Sequence, residues 1–273
     1  MELYHHIRCP FNRPGYFVGV VAILGDTVTL VDTGVAASPE EAILPFLQSM
    51  GRQVSEITQI VLTHSHGDHA GGVPALVTAS PARVYVHELE AAAVKGKLAH
   101  PARVTSFRHG DVLELSGRQV EVIHLPGHSA GSVCLFDREL GLGISGDSVQ
   151  GGGPTRPLLF YSAAGYRNAL ERLAQVPLQT LMLGHPYEPF GQGVIRGAQV
   201  PELIAASRQA LAGLTVAVER VLRQSGRPLT VDEIVAAGQL QVRPVSVQVV
   251  LEGLAQQGKV QALGEAESRL WLA

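Results

Sequence analysis

Residues 63–72 read Thr63-His64-Ser65-His66-Gly67-Asp68-His69-Ala70-Gly71-Gly72, and they decide the fold. Four side chains able to bind a metal stand within six positions, directly after the apolar run that starts at Ile57. Ile57–Thr63 is expected as a buried strand. Side chains alternate along a strand with period two, so His64 and His66 would project to one side and could reach one cation. Gly67 then turns the chain, which aims Asp68 and His69 at a neighbouring position. Gly71 and Gly72 permit close backbone approach as the chain leaves toward a helix. Three histidines and an aspartate are hard to bury together without a cation, because each needs a partner. The stretch therefore reads as a metal site at the end of a sheet strand.

The same design recurs downstream. His128 follows Leu125-Pro-Gly, Asp147 follows Ile144-Ser-Gly, and His185 follows Leu181-Met-Leu-Gly. An apolar run, a glycine and then a possible ligand, three times over, brings donors to one edge of a sheet. Together with the first cluster this makes five histidines and two aspartates, a nitrogen and carboxylate set that suits zinc, iron or manganese. The other histidines, His5, His6, His87, His100, His109 and His124, occupy no such position and read as structural or exposed.

Around these positions the chain alternates short apolar runs with glycine-punctuated turns. Val18–Leu24 and Val28–Val31 flank Gly25-Asp26 as a hairpin. Strands are expected at 83–87, 112–115, 119–124, 132–137, 143–145 and 180–183, the last closing this part of the chain, and helices at 39–50, 74–79 and 165–175. Meanders with occasional helices indicate a layered α/β body rather than regular βαβ alternation. The texture changes near Pro201. One long helix, or two in succession, over 202–224 is followed by a capping box at Thr230 and Glu233, short helices over 231–237 and 244–257, and strands over 259–263 and 268–272. Helix, helix and two-stranded wing is the order of a winged helix-turn-helix. The expected division is a catalytic domain over 1–200 and a small winged-helix-like domain over 201–273.

Composition bounds the function classes. The 273 residues are 46% hydrophobic and 16% charged, with a formal net charge of −3. Disorder needs lower hydrophobicity and more charge. Fourteen basic and seventeen acidic residues precede position 201, and seven of each follow it, so no half carries the surplus cations of a dedicated polyanion binder. The neutral helical tail offers a possible homodimer surface instead. Cys9 and Cys134 follow no disulfide framework and read as buried or idle thiols. The first fifteen residues lack the cationic start and apolar run of a secretory signal, and no stretch has the length of a membrane span. The expectation is a cytoplasmic protein with no membrane partner.

From residue 15 to about 190 the chain resembles the metallo-β-lactamase superfamily, whose motifs occur here in family order. They are Asp32-Thr33-Gly34, then His64-x-His66-x-Asp68-His69, then His128, Asp147 and His185. The resemblance implies a four-layer αββα sandwich and a hydrolase with two divalent metal ions, zinc foremost. Carried over position by position, His64, His66 and His128 hold one metal. Asp68, His69 and His185 hold the other, and Asp147 bridges them. Asp32 supports the ligand loop, and Asp68 doubles as the group that orients the nucleophile or accepts its proton. Such a metal pair lowers the pKa of a shared water from about 15.7 toward 7, so that hydroxide becomes the nucleophile.

The resemblance says less about substrate. Glyoxalase-II-like thioesterases share the His128 and Asp147 motifs, although their basic C-terminal residues have no match in this tail. Acyl-homoserine lactonases carry a tyrosine three residues after the bridging aspartate, where this chain has Gln150. An ester, thioester, lactone or similar small molecule is the first expectation. The tail resembles that of a lactamase-like group that includes a single-stranded RNA endonuclease, which makes phosphodiester hydrolysis in RNA the alternative. The segment from Ser148 to Gly184 is expected to line the mouth, with Gly151–Pro154 as a mobile loop and Arg156, Tyr161 and Tyr166 as contact candidates.

Overall fold

In a computed structural model of the chain, which describes residues 3–264 and 269–273, two six-stranded sheets pack face to face. The first contains β1 (Tyr4–Pro10), β2 (Phe17–Leu24), β3 (Val28–Val31), β4 (Ile57–Val61), β5 (Arg83–His87) and β6 (Val104–Phe107), ordered as in sequence. β1, β2 and β3 pair antiparallel, and β3 to β6 run parallel. The second contains β7 (Val112–Leu115), β8 (Arg118–His124), β9 (Val133–Asp137), β10 (Leu142–Gly146), β11 (Thr180–Tyr187) and β12 (Gln192–Arg196). It is antiparallel except where β10 meets β11.

Period-two alternation builds the layers. In β2, Val20 and Ala22 face the helices on the outer side of the first sheet, while Val21 and Ile23 face the second sheet. Both faces of this strand are buried, so it reads as a continuous apolar run. The outer face of the first sheet is covered by α1 (Leu44–Ser49), entered through a wide helical turn at Pro39–Ile43, and by α3 (Val73–Ala79) and α4 (Ala91–Lys95). A single turn, α2 (Gly67–Ala70), carries the end of the histidine cluster. The outer face of the second sheet is covered by α5 (Ala163–Leu173) and α6 (Gln199–Ser225), with α7 (Val231–Gly238) and α8 (Pro244–Gln256) beyond. Helix, sheet, sheet and helix make the four αββα layers.

The tail helices share one apolar core with the second sheet. Leu181 and Leu183 of β11, Leu170 of α5, Leu203 and Leu222 of α6, and Val247 and Leu251 of α8 are buried together, with Trp271 closing the far end. Thr230 caps α7, accepting from the Glu233 N–H while the Glu233 side chain accepts from the Thr230 N–H. Gly226, at φ 60°, ends α6. The tail hairpin pairs β13 (Gln261–Leu263) with β14 (Leu270–Leu272), and the expected strand start at Ser268 lies outside the described residues.

Strands β1, β6 and β12 have no counterpart among the expected elements, and the second sheet continues past residue 183. All three stand at sheet edges, where one side faces solvent and polar residues dilute the apolar signal. The strand before the histidine cluster ends at Val61 rather than Thr63, so His64 and His66 lie on a loop. Their convergence comes from that loop, not from pleat alternation.

Candidate metal centre

The candidate ligands gather where strands of both sheets end. His64, His66, Asp68 and His69 follow β4, His128 follows β8, Asp147 follows β10, and His185 lies within β11. Three groups form, each with its ligand atoms within 4.8 Å of one another: His64, His66 and His128; His64, His69 and Asp147; and Asp68, His69 and His185. Asp147 sits between them. Its Oδ1 lies 3.3 Å from His69 Nε2, and its Oδ2 lies 3.6 Å from both His128 Nε2 and His185 Nε2. Asp68 Oδ2 is 3.3 Å from His185 Nε2. All seven sequence-derived positions are thus brought together.

Two glycines permit the crowding. Gly146 holds φ 48°, and a Cβ there would stand 2.2 Å from Thr63 Oγ1. A Cβ on Gly184 would stand 2.4 Å from Asp147 Oδ1 and 2.7 Å from His69 Cε1.

Hydrogen bonds behind the cluster aim the imidazoles. The Nδ1–H of His69 donates to Asp32 Oδ2 (2.8 Å), that of His128 to the Leu158 carbonyl (2.8 Å), and that of His185 to the Phe17 carbonyl (2.8 Å). With Nδ1 so engaged, each Nε2 faces the centre. Asp32 also accepts from the Thr63 N–H (2.8 Å) and hydroxyl (2.7 Å), which fixes the start of the histidine loop.

The site fits divalent cations. His64 Nε2, His69 Nε2 and Asp147 Oδ1 are buried and have no hydrogen-bond partner, a costly state that a cation would relieve. Burial holds His64 well below the ordinary histidine range, with His69 and His128 adding to the effect, and pushes His128 down to about 4. Neutral imidazole is the form that coordinates. Burial also disfavours charge on His69, but Asp147 and Asp32 outweigh it and raise this histidine well above its usual value. Burial likewise opposes ionisation of Asp147, yet His185 and His69 hold it well below the usual carboxylate range.

Several residues that sequence reasoning missed complete the site. Glu90 is buried and accepts from the Ser65 N–H, the Ser129 hydroxyl and the Gly131 N–H, tying the His64–His66 loop to the loop after His128. Buried Gln150 accepts from the Leu158 N–H (2.7 Å) and donates to the Leu158 carbonyl (2.9 Å). Aromatic walls rise around the centre. The Tyr16 ring stacks on His185 with centroids 5.3 Å apart, and Phe160 meets His66 edge-on at 4.9 Å. No periodicity distinguishes these residues, although Tyr16 does follow the turn residues Asn12-Arg13-Pro14-Gly15.

The cavity over the centre has a volume of about 740 Å³ and is lined by Arg156, Leu158 and Phe160 from the expected mouth segment. The other two contact candidates are placed elsewhere. Tyr166 lies on the inner face of α5, fully buried against the second sheet, and Tyr161 is exposed and does not line the cavity. Of the remaining histidines, His6 bonds the Leu183 carbonyl, His87 stacks on His124 at 4.1 Å, and His100 is exposed. Cys9 and Cys134 are free and buried. Among the described residues, no helix is long and apolar enough to cross a membrane.

Comparison with known proteins agrees with this architecture. The chain is 33% identical over 160 residues to a hydroxyacylglutathione hydrolase of Cereibacter sphaeroides, a match covering 56% of this chain and 60% of that protein. The chain thus spans about 60% of the length of the first such relatives. Among solved structures, a metallo-beta-lactamase family protein from Thermus thermophilus superposes with a TM-score of 0.77 at 21% identity, over 100% of this chain and 99% of that one. A beta-lactamase domain protein from Burkholderia ambifaria gives 0.78 at 18% identity, over 100% and 93%. The tail is therefore part of a fold these proteins share. The family profile described as Metallo-beta-lactamase superfamily matches residues 14–185, and with seven donors gathered at the sheet ends the chain belongs to that superfamily.

Proposed function

We propose that the chain is a metal-dependent hydrolase of thioesters and related small acyl substrates, holding two divalent cations of which zinc is the first choice. The observation that carries this reading is the convergence of His64, His66, Asp68, His69, His128, Asp147 and His185, three of them with buried, unpartnered donor atoms. His64, His66 and His128 would hold one cation and Asp68, His69 and His185 the other, with Asp147 between them. Two such cations supply Lewis-acid polarisation of the substrate oxygen and a water acidified toward neutral pH. The named activity of the Cereibacter sphaeroides relative supports a thioester over other acyl bonds.

The chain's own residues supply orientation, shielding and proton handling. Asp32, the Leu158 carbonyl and the Phe17 carbonyl keep His69, His128 and His185 from rotating. Asp68 lines the cavity, and although burial opposes its charge, His185 and His69 beside it hold it below the usual carboxylate value. Its carboxylate is placed to orient the attacking water and take up its proton. Tyr16, Phe160 and Tyr187 provide apolar walls that exclude bulk water from the reacting bond.

The test compares native and chelator-treated protein, with a His66→Ala control, on thioesters, lactones and single-stranded RNA. Chelator-sensitive thioester turnover well above the control is the expected result. Metal-dependent cleavage confined to RNA would replace this reading with the endonuclease alternative, and no metal-dependent turnover of any substrate would overturn it.

A further inference from the structure

Four non-histidine charged residues line the cavity: Asp68, Asp147, Arg156 and Arg243. The two aspartates lie against the histidines of the metal centre. The two guanidiniums have no carboxylate within 4.0 Å among the described residues. In a chain of net charge −3, the charged residues that line this cavity away from the histidines are therefore both positive among the described residues.

The two arginines are held differently. Arg156 lies over the Tyr187 ring, 5.1 Å from its centroid, and its Nη2 donates to Tyr16 Oη at 3.3 Å. Those rings are the ones that pack on His185, so Arg156 stands one aromatic layer from the metal centre. Arg243 is exposed in the connection between α7 and α8, immediately before Pro244. It comes from the tail, and the tail is fastened to the Arg156 loop. Ser246 of α8, fully buried, accepts from the Leu159 N–H at 3.1 Å. One loop thus sits between the tail helix and the His128 ring.

We infer that Arg156 and Arg243 form a specificity subsite for an anionic group, a carboxylate or a phosphate, on the part of the substrate remote from the scissile bond. Guanidinium groups pair such oxyanions through charge-assisted, often bidentate hydrogen bonds. A spare oxyanion on the substrate, held at the rim, would orient the acyl carbon toward the metal centre. The tail then acts in substrate selection by supplying Arg243 and by bracing the loop that carries Arg156. This inference rests on the hydrolase reading for the position of the scissile bond, but not for the binding of the anion.

The test uses binding without turnover. Three non-hydrolysable thioethers share one acyl chain and end in a carboxylate, a phosphate or a neutral amide, and each is titrated calorimetrically into the metal-loaded chain. An anionic thioether should bind at least about tenfold more tightly than the amide, since a charge-assisted pair is worth that much or more. The tighter of the two anionic ligands identifies the group. In Arg156→Gln and in Arg243→Gln the anion-to-amide ratio should fall toward one. A ratio near one in the unaltered chain, or one that both variants keep, would overturn the subsite. Selective binding without turnover of any thioester would support the subsite and count against the hydrolase reading; turnover without selectivity would do the reverse.

Discussion

Asp32 holds φ 62°, a left-handed conformation few side chains accept, and its carboxylate receives hydrogen bonds from Thr63 and His69. Asp32→Ala should leave His69 free to turn and lower metal affinity about 10–100-fold. Competition with a chelator measures this, and an unaltered affinity would remove Asp32 from its positioning role. Glu90→Ala frees two ligand-bearing loops at once and should weaken metal binding in the same assay. The cluster of seven residues was legible in the sequence because each is a distinctive residue that follows an apolar run. Glu90 was not legible: a glutamate on a short helical segment looks like solvated surface until the fold closes over it. Tyr166 erred in the opposite sense, since its position on the inner face of α5 depends on which sheet that helix covers.

At the scale of elements, the loop over residues 154–160 is the part with most consequence. Gln150 holds Leu158 from within, His128 donates to the Leu158 carbonyl, and Ser246 receives the Leu159 N–H from outside. Ser246→Ala leaves a buried N–H without a partner and should destabilise the protein by about 1–3 kcal/mol. Chemical denaturation measures the loss, and substrate selectivity should fall with it because Arg156 rides on the same loop. Unchanged stability and selectivity would show that α8 does not brace this loop. Interior strands such as β2 and β9 were readable as apolar runs because both their faces are buried. Edge strands β1, β6 and β12 were hidden, since their pairing depends on a neighbour that local pattern does not name.

Across the whole molecule, the two sheets are joined by a charged pin far from the metal centre. Asp137 of β9 accepts from Tyr4 of β1 (2.8 Å) and from both Nε (2.8 Å) and Nη2 (2.9 Å) of Arg118 in β8. Burial disfavours its charge, but the Arg118 and Tyr4 hydrogen bonds outweigh this and lower its pKa. A carboxylate with a depressed folded-state pKa stabilises fully above its unfolded value of about 3.9, and that stability is lost as pH falls through the folded value. Thermal stability should therefore fall below about pH 4. Asp137→Asn should be less stable by about 3 kcal/mol at neutral pH and show a weaker acid dependence. Identical acid profiles would place the titrating group elsewhere. The change of texture near Pro201 coincides with the start of the long helix α6. The shared core joining the tail to the second sheet was not legible in the sequence, because a helical face does not reveal what it will cover.

The proposed two-cation centre would link the sheet ends, the buried unpartnered donors and the proposed hydrolysis. The most direct test follows thioester hydrolysis while metal-free protein receives zinc in measured equivalents. The account predicts negligible turnover without zinc and a rise that reaches its plateau at two equivalents per chain. Turnover that is indifferent to added metal, or a plateau at one equivalent, would contradict it.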